Sequence, residues 1–281
     1  MSVPVKTAAR SYWDEFPQAA ANFGAPLRPP LEAVRFMENT AMEWARSHPG
    51  EGLRALLLGV TAEIACMRWP EAATLLAVDC SYPMVQSVWS GNVPGKRAAV
   101  CANWLALPAR PASRDIAIGD GSFNCLDFPD GLRAAARSVE SVVQKDGLFV
   151  LRCFVQAEPR ESLDALFDEA LRGSIGSFHA FKLRLLMALQ ESAHKGVAVK
   201  DAYWAWTDRK IDLERLPSSP GWAKPAVETI GLYRDAETVY SFPTLDELRM
   251  ELAEFFEEIS VTVHSYELAE RCPILVLRPR P

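Results

Sequence analysis

The sequence predicts a three-layer α/β/α, doubly wound fold on a mostly parallel seven-stranded sheet that closes with an antiparallel hairpin. Three observations carry this expectation. Five short apolar runs alternate with helical stretches between Leu53 and Phe154, and such alternation implies β-α-β crossovers between parallel strands. Two further strand-like runs at the end are joined by a link too short for a crossover helix. Finally, 281 residues with 49% hydrophobic content suffice to bury one large core, so the whole of 1–281 is read as a single domain.

Taken in order, Ser11 to Pro30 mixes Tyr12, Trp13, Phe16 and Phe23 with four prolines, which predicts an irregular arm packed on the body. Leu31 to Ser47 places Val34, Met37, Ala41 and Trp44 at helical spacing and stops before Pro49-Gly50, completing an N-terminal arm and helix over 1–50. The core, 51–154, holds the buried strands Leu53–Leu58, Thr74–Val78, Arg97–Cys101, Asp115–Ile118 and Leu148–Phe154, with a helix over Leu132–Val143. Residues 155–240 break that rhythm and read as a mostly helical insert. Within it Phe178, Phe181, Leu185 and Leu189 share a helix face, and Tyr203, Trp204 and Trp206 cluster. In 241–281 a capping box, Thr244 to Glu247, starts a helix at Leu245 with the apolar face Leu248, Leu252, Phe255 and Phe256. Ile259–His264 and Ile274–Leu277 then form the closing hairpin.

Charge narrows the partners. With 30 Lys+Arg against 36 Asp+Glu, a net charge of −6 and no basic run, the chain is not expected to bind nucleic acid. Met1 to Phe16 lacks the apolar block of a signal peptide and no later run is long enough to cross a membrane, so a cytoplasmic protein without membrane attachment is expected. The six cysteines include no C-x-x-C pair and read as reduced core residues, and His48, His179, His194 and His264 lie too far apart in sequence to suggest a metal site. Oligomeric state is left open.

Open parallel sheets bind ligands beyond the carboxyl ends of their strands, where strand order reverses. The first strand exits through Gly59-Val60-Thr61-Ala62-Glu63 into a helix, and the second ends at Asp79, about 20 residues beyond the glycine, where a carboxylate can accept bonds from both ribose hydroxyls of a nucleoside. The third delivers Asn103, whose amide can read a base edge, and Trp104, which can stack on it. The fourth brings Gly119-Asp120-Gly121-Ser122-Phe123 to the same rim.

These segments, together with the closing hairpin, resemble class I S-adenosylmethionine-dependent methyltransferases over Leu53 to Phe154 and the last strands. The family's G-x-G-x-G loop is here Gly59-Val60-Thr61-Ala62-Glu63, similar to a variant seen in some bacterial members. The resemblance implies S-adenosylmethionine as cofactor and in-line displacement at its sulfonium methyl. It implies that Asp79 holds the ribose, Met84 and Trp104 flank the adenine, and Asn103 bonds its edge. Thr61 and Glu63 would then meet the methionine end, and Asp120 and Ser122 would line the transfer cavity. Because the leaving group is already activated, orientation can supply most of the catalysis, and no single catalytic residue is singled out.

Tyr12, Trp13, Phe123, Tyr203 and Trp204 are acceptor-contact candidates. Plainer readings stand beside these roles: Gly59 as a turn, Glu63 as a solvated first-turn carboxylate, Asp120 as a cap, and the aromatics as packing. The fourth-strand exit lacks the Asn/Asp-Pro-Pro-Tyr pattern of nucleobase amino methylation, and Cys272-Pro273 lies in the hairpin. A small molecule, or else a protein side chain, is therefore the expected acceptor. The rivals are a degenerate cofactor-binding protein and a nicotinamide-dependent oxidoreductase, which would more often continue its sheet in parallel.

Overall fold

The computed structural model describes residues 12–50, 52–91, 93, 96–212 and 219–281; part of the predicted arm, residues 1–11, lies outside them. Strands β1 (Arg54–Leu58), β2 (Thr74–Asp79), β3 (Arg97–Cys101), β4 (Arg114–Asp120) and β5 (Val143–Arg152) pair in parallel in the order β3-β2-β1-β4-β5. Strands β6 (Val197–Ala198) and β7 (Val239–Tyr240) form a separate antiparallel ribbon. Strands β8 (Phe256–Thr262) and β9 (Ile274–Pro279) return to the main sheet, with β9 antiparallel to both β5 and β8. The expected seven-stranded, mostly parallel sheet with an antiparallel ending is thus present.

Helices α1 (Tyr12–Ala19), α2 (Leu31–Ser47), α3 (Ala62–Ala65), α4 (Tyr82–Ser87) and α5 (Asp130–Val142) accompany the first five strands. After β5 come α6 (Leu163–Leu171), α7 (Phe178–Leu189), α8 (Val199–Asp208), α9 (Lys224–Glu228) and α10 (Leu245–Leu252). Successive strand residues face opposite sides, which explains the continuous apolar runs. Ala55, Leu57, Ile116 and Ile118 join one core with α2 and α7, whereas Leu56, Leu58, Ala117 and Phe149 join the other with α5 and α10. Each such leucine or isoleucine contributes about 1.5–3 kcal/mol by leaving water.

Several boundaries differ from expectation for local reasons. The arm is not irregular from its start, because Tyr12–Ala19 is helical despite Pro17 inside it. Proline cannot donate the usual bond to Trp13, and that carbonyl instead accepts from the Ser81 hydroxyl at 3.5 Å, tying α1 to the sheet rim. Helix α10 ends at Leu252; Phe255 and Phe256 are buried in the predicted core, but from the turn and from β8. The hairpin's first strand therefore begins at Phe256 rather than Ile259.

The 155–240 stretch is mostly helical, but α7 is buried almost all round, His179 and Lys182 included, rather than along one face. Nor do the cysteines all lie in the core. Cys153 and Cys272 do, while Cys66, Cys80 and Cys101 are exposed. Among the described residues no helix is long and apolar enough to cross a membrane.

Candidate functional site

Strand order reverses between β1 and β4, and a cavity of about 500 Å³ opens beyond the carboxyl ends of the strands there. Leu58 pairs with Val78, so the exits of β1 and β2 stand side by side. The Gly59 N–H donates to the Val78 carbonyl at 2.7 Å, and the backbone turns with φ +100°. A β-carbon at Gly59 would sit 3.8 Å from Asp79 Oδ2 and 3.9 Å from Trp104 Cζ2, so the glycine and the acid do converge on one crevice. Because only glycine adopts that φ without strain, Gly59→Ala is expected to cost about 1–3 kcal/mol of stability. An unchanged urea midpoint would show that the turn relaxes instead.

Asp79 is 9% exposed and accepts from the Ser81 N–H at 2.8 Å. Burial raises its pKa above the ordinary aspartate value, with the Ser81 N–H working the other way. Ser81 also caps α4, which carries the buried Met84 to the cavity wall. Trp104 is fixed across the end of β2, because its indole N–H donates to the same Val78 carbonyl at 2.6 Å. Asn103 is exposed, and its side-chain oxygen is occupied by the Leu105 N–H at 2.9 Å, which leaves the amide N–H₂ as the group free to read a ligand.

Thr61 precedes α3 without using its hydroxyl as a cap, and it lines the cavity. Glu63 is not merely a solvated carboxylate: Oε1 pairs with Arg28 Nε at 2.6 Å, while Oε2 is buried with no hydrogen-bond partner. The Ser122 hydroxyl at the β4 exit is likewise buried and unpartnered. Both residues line the cavity, and a buried polar atom left without a partner costs about 1–3 kcal/mol. Asp120 reaches the cavity as expected, but its carboxylate is held at 2.6 Å by Arg152 of β5, whose side chain is wholly buried while that of Asp120 is 4% exposed. Arg152 also donates twice to the Pro26 carbonyl, at 3.0 and 2.8 Å, fastening the arm to the sheet.

All nine predicted cofactor residues, and Tyr12 and Trp13, therefore line one cavity; the other three acceptor candidates do not. Phe123 turns away into the α5 and α10 core, 2% exposed, with its ring 5.4 Å from Phe149. Tyr203 and Trp204 lie on the outer side of α8, where Trp204 is 51% exposed and Tyr203 accepts from Arg234 at 2.9 Å. Trp206 alone of that trio enters the core, against Phe178 and Phe181.

Sequence reasoning missed Arg28 and Arg152 and most of the aromatic wall. The arginine that ends the apolar β5 run was a readable signal, since its strand partner in register is Asp120. Arg28, between Leu27 and two prolines, carried none.

No protein-family model and no curated protein matches the chain. Solved structures do. A Rhodobacter sphaeroides protein described as a candidate zinc-dependent alcohol dehydrogenase aligns with a TM-score of 0.61 at 14% identity, covering 96% of this chain and 97% of the other. A Methanosarcina mazei S-adenosylmethionine-dependent methyltransferase aligns at 0.50 and 13%, covering 83% and 95%. A Haloferax volcanii complex of the Trm112 activator with a candidate methyltransferase aligns at 0.52 and 9%, covering 97% and 99%. At these identities the likeness is one of fold: the chain has the Rossmann-like fold of class I methyltransferases.

Proposed function

We propose that the chain transfers a methyl group from S-adenosylmethionine to a small molecule held in the same cavity. The observation that carries this reading is the set of polar groups on one crevice: Asp79 beside the Gly59 turn, and the unpartnered Glu63 Oε2 and Ser122 Oγ. Their chemistry suits an adenosyl amino acid. Asp79 accepts from ribose hydroxyls, Met84 and Trp104 supply apolar faces for the base, and Glu63 Oε2 accepts from an α-ammonium. Arg28 beside Glu63 adds the positive charge that suits the neighbouring carboxylate.

When bound, the cofactor brings a methyl group already carried on a cationic sulfur, so the protein's share is orientation and exclusion of water. Helix α1 and the 155–240 segment contribute to this by lining the cavity with Tyr12, Trp13, Tyr233 and Tyr240. A cavity of about 500 Å³ has the volume of a small-molecule site and favours a small acceptor over a protein side chain.

Calorimetric titration of Glu63→Gln with S-adenosylhomocysteine is the direct test. Losing a charge-assisted bond should weaken binding about tenfold. Unchanged affinity would remove Glu63 from the ammonium site. The description of the Rhodobacter protein favours a nicotinamide reading instead. Against it stand the antiparallel β9 and the single glycine of the β1 exit. Stabilisation by NAD rather than S-adenosylmethionine in a melting assay would reinstate it.

A further inference from the structure

We propose that the methyl acceptor is a small ring compound with a weakly basic nitrogen, an arylamine or a nitrogen heterocycle, methylated on that nitrogen. This rests on the methyltransferase reading above and concerns the cavity beyond the residues given to the cofactor. That space is walled by Tyr12, Phe16, Phe23, Phe154, Tyr233 and Tyr240. Tyr12 stands edge-on to Phe16 at 5.6 Å and to Tyr233 at 5.3 Å, and Phe16 continues to Phe23 at 4.8 Å. Such a wall of ring faces and edges suits a flat, mostly apolar ligand.

The charges at hand then select the nucleophile. Arg28, paired with Glu63 at 2.6 Å, is given to the cofactor's carboxylate in the reading above, and the buried Arg152 is paired with Asp120 at 2.6 Å. An anionic acceptor, a carboxylate or a thiolate, would therefore meet no free cation among the described lining residues. A phenol, an alcohol or a protonated alkylamine must first lose a proton, and no histidine or lysine lines the cavity among the described residues. Lys182 lies behind the wall, 4.0 Å from the Phe23 ring centre and 5.0 Å from that of Tyr233, bonded to Thr229 at 2.7 Å.

Burial pushes the pKa values of Tyr12, Tyr233, Tyr240 and the Cys125 thiol upward, so these groups hold their protons. The carboxylates do not serve either. Asp79 is given to the ribose in the reading above, Asp127 is exposed to solvent, and Glu237 pairs with Lys200 at 2.8 Å. As a class, carboxylates are also weaker bases than phenolates by about six units.

A nitrogen that is unprotonated at neutral pH needs none of this help. Its lone pair forms the new N–C bond while the C–S pair returns to sulfur, leaving a neutral thioether and moving the positive charge onto the acceptor. A heterocycle keeps that charge as an N-methyl cation, and an arylamine releases a proton to water. In either case a cation develops against aromatic faces, which stabilise it electrostatically.

The test incubates the full chain with methyl-labelled S-adenosylmethionine and four acceptor pools: anilines with pyridine- and quinoline-type heterocycles, phenols, primary alkylamines, and carboxylic acids. Products are read by mass spectrometry, and S-adenosylhomocysteine binding is measured calorimetrically on the same samples. N-methyl products from the first pool are expected, with kcat/KM reduced about tenfold in Tyr240→Leu and in Phe16→Leu while S-adenosylhomocysteine still binds. Two single-ring variants guard against one of them failing to fold. Turnover confined to another pool, or none in the first pool while S-adenosylhomocysteine binds, would overturn this inference and leave the methyltransferase reading standing. Failure to bind S-adenosylhomocysteine would overturn both.

Discussion

Replacing Asp79 by alanine is expected to raise the Kd for S-adenosylhomocysteine about 30- to 150-fold, read by calorimetry, since bonds from two ribose hydroxyls to one carboxylate are worth about 2–3 kcal/mol together. The fold should survive, because Asp79 ends β2 at the cavity wall rather than inside the sheet. A change under about threefold would place the ribose elsewhere. Acidification should act in the same direction. The ribose hydroxyls donate to the ionised carboxylate, so affinity falls as Asp79 takes up a proton. Burial raises its pKa, against the pull of the Ser81 N–H, so the fall begins at a higher pH than an ordinary aspartate would impose. In the free protein the sign is opposite. The folded chain holds this proton more tightly than the unfolded chain, so Asp79 contributes stability while protonated and loses it as pH rises through its folded pKa.

The second large effect belongs to Arg152. Arg152→Met should cost about 3–5 kcal/mol in urea unfolding, because it strands the Asp120 carboxylate in a site where both partners are almost wholly out of water. The double variant Arg152→Met with Asp120→Leu should recover most of that loss, since no unpaired charge then remains buried. If the single variant unfolds at the parent's midpoint, the pair is not a structural tie. Cofactor affinity should fall as well. The same guanidinium holds the Pro26 carbonyl, two residues before Arg28, the partner of Glu63.

What was legible in the sequence was whatever depends on neighbours along the chain. Strands buried on both faces must be apolar along their length, so β1, β2, the middle of β4 and the later half of β5 announced themselves, while the edge strand β3 is apolar in sequence but only partly buried, and Gly59 and Asp79 could be paired because one crossover separates them. Antiparallel return at the end followed from the short link before Ile274. Of the aromatic wall only Tyr12 was legible; Tyr233 and Tyr240 were not, because they come from the opposite end of the chain and meet Tyr12 only through tertiary packing. Adjacency also misled. Tyr203, Trp204 and Trp206 are close in sequence, yet each helical residue turns about 100°, which sends Trp206 inward and Trp204 out. Phe123 failed similarly: it follows Ser122 immediately but faces the opposite core. Glu63 was half legible, its position at the rim readable and its arginine partner not.

The position of β9 bears on how the molecule assembles. This strand is the last of those described to be synthesised, yet it is interior, hydrogen-bonded to β5 on one side and β8 on the other. Until it arrives, β5 presents a bare edge and β8 has no neighbour, so beyond β5 the sheet cannot grow strand by strand behind the ribosome. Contacts between such distant segments form slowly, and the half-built edge is a place for another chain to attach. The interval before Ile274–Pro279 slots into the gap is therefore the one in which a chaperone that shields strand edges would act.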